Sequence, residues 1–70
     1  MMKLQGIHFV IINGVGSISV SRSTPTEIVA TLFGASVVWR NGLLSVNGRT
    51  VGECKPGNKV TINGDNVTIE

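Results

Sequence analysis

Cysteine is almost missing from this chain: Cys54 is the only one, so no intrachain disulfide can staple the fold. With His8 as the only imidazole, the Cys and His set of a structural zinc site is missing too. Tyrosine is absent, and the aromatics are Trp39, Phe9 and Phe33. The paired aromatics of RNA-binding sheets are therefore not available. Charge is scarce at 14% of residues, against about 25% in ordinary domains. The net charge of +2 rests on six basic and four acidic residues, too slight an excess to signal nucleic acid by itself.

Long apolar runs are also lacking. The stretch from Met1 to Ile12 is broken by Gln5, Gly6 and His8 and halted by Asn13-Gly14. It has no small-residue cleavage site, so it reads as a strand rather than a signal peptide. Nothing approaches the roughly 18 apolar residues of a membrane span. These features give an expectation of one domain, residues 1–70, in the cytoplasm, where a single free thiol stays reduced.

Turn chemistry is plentiful. Asn-Gly occurs four times, at Asn13, Asn41, Asn47 and Asn63, and the dipeptide between alternating apolar residues is a strong hairpin signal. A tight turn at Asn13-Gly14 would pair Ile12 with Val15, Phe9 with Ile18 and Ile7 with Val20. It would put Ile7, Phe9, Ile11, Ile18 and Val20 on one face. The turn at Asn41-Gly42 pairs Trp39 with Leu44 and Val37 with Val46, and the one at Asn47-Gly48 pairs Ser45 with Thr50 and Leu44 with Val51. A Pro56-Gly57 turn would set Val51 against Ile62. Finally, Val60-Thr61-Ile62 and Val67-Thr68-Ile69 pair across Gly64-Asp65, with Lys59 meeting Glu70. The meander so formed offers one apolar face of Val37, Trp39, Leu44, Val46, Val51, Val60, Ile62, Val67 and Ile69.

Between the hairpins, Thr24-Pro25-Thr26-Glu27 has the form of a helix start. Thr24 suits the N-cap, Pro25 the first helical position, and Glu27 closes a capping box. Ile28, Val29, Leu32 and Phe33 then form one stripe, and Gly34 suits the C-terminal cap. The expected architecture is thus α+β, mainly antiparallel β, in the order β-β-α-β-β-β-β-β. It would be a curled sheet or small partly open barrel, with one short helix over about residues 25–33. A parallel β-helix is the alternative suggested by the repeated Asn-Gly, but the six-residue spacing is not sustained.

Catalytic vocabulary is thin. Gly14-Val15-Gly16 lacks the third glycine and following helix of a dinucleotide site. His8 could face Ser17, Ser19 and Ser21 across the first hairpin, but no third group is at hand to orient the imidazole. Cys54 precedes Lys55, a cation that lowers a thiol pKa, yet a lone cysteine at a strand end more often packs. The carboxylates Glu27, Glu53, Asp65 and Glu70 are dispersed. No enzyme, cofactor or metal is expected from these residues.

A surplus of apolar residues remains after the expected core is filled: Val10, Ile12, Val15, Val38 and Leu43. A mean hydropathy of +0.29 in so small a chain also favours shared burial. The sequence is therefore read as a non-enzymatic β-rich protein-interaction module: an adaptor, an inhibitor or a structural subunit. Its partners would be a second copy of itself and another protein, with a pocket between subunits left open. The alternative is a small β-domain that binds nucleic acid through Arg22, Arg40, Arg49, Lys55 and Lys59.

Overall fold

The computed structural model describes residues 2–70; Met1 lies outside them. Among the described residues nine strands follow one another: β1 (Met2–Leu4), β2 (Ile7–Ile12), β3 (Ile18–Thr24), β4 (Glu27–Leu32), β5 (Ala35–Arg40), β6 (Leu43–Val46), β7 (Arg49–Glu53), β8 (Lys59–Asn63) and β9 (Asn66–Ile69). They form two sheets, ordered β1-β2-β8-β9 and β3-β4-β5-β6-β7. The second is an antiparallel meander. The first contains one parallel pair, β2 with β8, which sets Phe9 beside Val60 and Ile11 beside Ile62. The expected single curled sheet or barrel is instead a two-sheet sandwich.

The expected helix is absent, and no described residue is helical. Residues 27–32 are β4, because Glu27-Ile28-Val29-Ala30-Thr31-Leu32 also alternates. Ile28, Ala30 and Leu32 are buried, while Val29 and Thr31 face the other way. Three of the six are β-branched, which favours a pleated strand over a helix. Partners on both sides, β3 and β5, then settle the choice. The cap chemistry survives with a different use. Thr24 Oγ1 accepts from the Glu27 amide (3.0 Å) and the Thr26 amide (3.4 Å), closing a hairpin turn rather than a helix.

Asn13-Gly14 does not make a hairpin either. Asn13 is left-handed (φ 59°), but Gly14 is not, and the segment carries the chain from one sheet to the other. Glycine is required there for space: a Cβ on Gly14 would lie 2.6 Å from Phe33 Cβ and 2.7 Å from Ile11 Cγ2. The two-residue left-handed turns occur at Gln5-Gly6, Phe33-Gly34, Asn41-Gly42 and Asn47-Gly48. Two of these carry no asparagine and give no Asn-Gly signal.

The remaining registers are mixed in outcome. Trp39 faces Leu44 and Val37 faces Val46, as expected. In the next pair Ser45 meets Thr50, but a bulge displaces Val51 and Leu44 meets Gly52. Pro56-Gly57 is a turn, with Gly57 at φ 100°, yet it joins the two sheets, so Val51 and Ile62 are not partners. The last hairpin has the expected register throughout, from Ile62 with Val67 to Val60 with Ile69. Lys59 and Glu70 exchange backbone hydrogen bonds at its open end (2.9 and 2.8 Å).

The core lies between the sheets. Ile7, Phe9, Val60 and Ile62 come from one, and Ile28, Ala30, Leu32, Ala35, Val37, Trp39, Leu44 and Val46 from the other. Cys54, on the crossing from β7 to β8, is fully buried with them. Its carbonyl accepts the Trp39 indole N–H at 2.8 Å, so the largest core side chain also pins the crossing. Among the described residues no buried side-chain polar atom lacks a partner.

Candidate interaction site

An open sandwich leaves four edge strands, and their lengths differ. β1 has three residues, β9 four, and β7 five with a bulge and Gly52. The fourth, β3, has seven, and all but Thr24 are exposed. Its alternation explains why this matters. Ile18 and Val20 sit opposite Leu32 and Ala30, whose side chains are buried, so they continue the core face of the sheet. Nevertheless both are 42% exposed. The expectation that Ile18 and Val20 fill the core is thus corrected: the apolar face runs past the cover that the other sheet provides. From Ile18 to Ser21 no lysine, proline or inward charge guards this strand; its protections are the bulge between Val20 and Arg22 and the exposed charge of Arg22.

The loop before β3 adds to the same corner. The Val15 amide donates to the Phe33 carbonyl at 3.0 Å, and the Phe33 amide donates to the Ser17 carbonyl at 3.1 Å. These bonds hold the loop against the Phe33-Gly34 turn. Phe33 has φ 49°, a left-handed backbone that a bulky side chain adopts only under constraint. Val15 is 81% exposed and Ile12, just before the loop, 42%. Of the five large apolar side chains exposed among the described residues, Ile12 and Val15 line one groove with the half-buried Phe33, and Ile18 and Val20 follow on β3. Leu43 is the fifth and lies elsewhere.

The five residues expected to form one apolar surface are in fact divided. Val10 and Ile12 lie on the outer face of the four-stranded sheet. Val38 and Leu43 lie on the outer face of the five-stranded sheet, and Val15 is on the loop. Ile12 and Val15 belong to the corner; Val10 and Val38 are half-buried on opposite faces.

The basic residues are likewise dispersed. Arg22 Nη1 donates to Glu27 Oε1 at 3.0 Å, and Arg40 Nε donates to Glu27 Oε2. Chiefly through the Arg40 hydrogen bond, Glu27 is held below the ordinary carboxylate range. Lys59 pairs with Glu70 at 3.8 Å on the other sheet. Lys55 lies in the crossing from β7 to β8, near Glu53. Arg49 follows the Asn47-Gly48 turn at the opposite end of the meander from Arg40. Trp39, which would have to stack on bases, is 3% exposed inside the core.

The two candidate reactive groups are also separated from their expected neighbours. His8 is on β2, whereas Ser19 and Ser21 are on β3 in the other sheet, so the opposed pairs do not form. Cys54 is buried, and loss of solvent pushes its thiol pKa up, away from the thiolate. No group of three or more His, Cys, Asp or Glu side chains converges among the described residues. None of the described segments is a helix long and apolar enough to cross a membrane.

Together these features define a small open β-sandwich with one long, exposed edge strand. Comparison with protein-family models, with curated proteins and with solved structures finds no match.

Proposed function

We propose that the chain is a non-enzymatic protein-interaction module of the cytoplasm that associates with a second copy of itself through β3 and the apolar corner. The observation that carries this reading is the exposure of β3 on both faces while Ile18 and Val20 continue the buried face of the sheet. An edge strand offers unpaired backbone donors and acceptors, and a second strand laid against it satisfies them. Antiparallel pairing about a two-fold axis at Ser19 would set Ile18 against Val20 of the partner subunit. Apolar pairs would then face each other on the inner side, and Arg22 would meet no like charge. A homo-oligomer of this kind suits a structural subunit. The same edge suits an adaptor or inhibitor when another protein supplies the strand.

Light scattering on the whole chain tests the reading. At micromolar concentration the mass should be at least twice 7.4 kDa. Val20→Lys puts a charge into the pairing face and should lower the mass to that of one chain, with the circular dichroism spectrum unchanged. A folded monomer in the unsubstituted protein across the micromolar range would refute self-association through this edge.

A further inference from the structure

On the side of the sandwich opposite β3, the edge strands β7 and β9 flank a cleft of about 330 Å³. That size is at the lower end of the range of about 300–1,000 Å³ for small-ligand pockets. Val46, Val51 and Val67 give it an apolar floor; Val46 is buried, and the other two pack against the core. Arg49 and Asp65 stand on the wall. They come from different sheets and carry opposite charges. The three ion pairs of the described residues join Glu27 to Arg22, Glu27 to Arg40, and Lys59 to Glu70, and include neither Arg49 nor Asp65.

The turns that carry this pair are fixed. The Asn47 amide donates to the Ser36 carbonyl at 2.7 Å, and Asn47 Oδ1 accepts from the Ser36 amide at 2.9 Å. This tethers the turn before Arg49 to the start of β5. Asp65 sits at the tip of the last hairpin, whose register is regular to Asn63 with Asn66. A cation and an anion, each without a partner, thus overlook one apolar floor.

The geometry points to a site for a free α-amino acid with a branched apolar side chain. Its carboxylate would be received by the Arg49 guanidinium and its ammonium by the Asp65 carboxylate, while the side chain rests on Val46, Val51 and Val67. Both charges of the ligand are needed, since either alone would leave one wall residue unmatched. This site is independent of the β3 edge.

Amide chemical shifts of the full chain, titrated with L-leucine, test the assignment. We expect saturable shifts centred on Arg49, Val51, Asp65 and Val67, with Kd on the order of 1 mM for so small and open a site. N-acetyl-L-leucine, which lacks the ammonium, and L-leucine amide, which lacks the carboxylate, should each bind at least about tenfold more weakly, equivalent to about 1.4 kcal/mol. Glycine, without the side chain, should weaken binding similarly. Arg49→Gln and Asp65→Asn, both on exposed positions, should abolish the shifts and leave the fold intact. Absence of saturable shifts with leucine would overturn the proposal. Equal binding of N-acetyl-leucine or of glycine would do the same, by showing that a charge or the floor is not used.

Discussion

Replacing Trp39 with Phe should destabilise the protein by about 2–5 kcal/mol, and the two sources of that loss can be separated. The indole N–H is the hydrogen-bond partner of the Cys54 carbonyl at 2.8 Å, in a place where Trp39 is 3% and Cys54 0% exposed. Removing the donor leaves a buried carbonyl unpaired, which costs about 1–3 kcal/mol. The smaller ring also leaves a void beside Leu44, its cross-strand neighbour, worth about 1–2 kcal/mol by the cavity rule. Urea unfolding followed by circular dichroism is the assay, since Trp39 is the only tryptophan and its fluorescence is lost with it. With a slope of about 1 kcal/mol per molar urea for a small domain, the midpoint should fall by about 2–5 M. Both proteins must be compared at one concentration, because self-association adds to apparent stability. Benzothienylalanine at position 39 keeps the shape and removes the N–H, so it should retain about half of the loss. If that variant were as stable as the parent protein, the hydrogen bond to Cys54 would not anchor the crossing, and the reasoning would fail.

Gly14→Ala should cost about 1–3 kcal/mol in the same assay, because the new methyl meets Phe33 Cβ and Ile11 Cγ2 well inside contact distance; an unchanged midpoint would show that the loop relaxes freely. Glu27 has its pKa depressed in the folded state, so its contribution is complete above the unfolded-state pKa and disappears as pH falls through the folded value. Stability should therefore decline towards acid through the carboxylate range, and Glu27→Gln should flatten that decline; a parallel profile in the variant would refute the role of the Arg22 and Arg40 contacts. Val38→Asp, on the outer face away from β3, should leave the scattering mass unchanged where Val20→Lys lowers it; the reverse result would move the interface to that face. Titration with single-stranded oligonucleotides tests the alternative reading: salt-sensitive micromolar binding, lost in Arg22→Ala/Arg40→Ala, would favour nucleic acid over self-association.

What could be read in advance depended on how local each signal was. Asn41-Gly42 and the Gly64-Asp65 hairpin join strands that are neighbours in sequence, and their registers follow from the turn and the alternation alone. Thr24 to Phe33 was ambiguous because its apolar residues satisfy periods of both 3.6 and 2. Only the flanking strands β3 and β5 resolve that segment. Asn13-Gly14 misled for a different reason: Gly14 serves close packing against Phe33, which no dipeptide rule contains. The partition of Ile7 to Ile12 and Lys59 to Asn63 into a parallel pair leaves no mark in either segment. The same holds for the candidate sites. Ile12 and Val15 stand out in the sequence as surplus apolar residues, whereas alternation alone places Ile18 and Val20 in a core that the position of β3 at a sheet edge leaves uncovered. Arg49 and Asp65 were visible only as scattered charges, since their convergence depends on two sheets meeting.

The parallel pairing of β2 with β8 has a consequence for how the chain reaches its native state. The five-stranded meander closes by successive hairpins, each joining neighbours in sequence. Phe9, by contrast, must find Val60. That contact closes a loop containing the whole meander, an entropic cost that rises with loop length and slows folding. During synthesis β2 leaves the ribosome before β8, and its parallel partner is missing until residues 59–63 have followed. A chain stopped before Lys59 would keep every strand of the meander and lose the central partner of β2. Such a fragment leaves one edge of β2 unpaired, so aggregation in this protein should track the time between the emergence of β2 and that of β8.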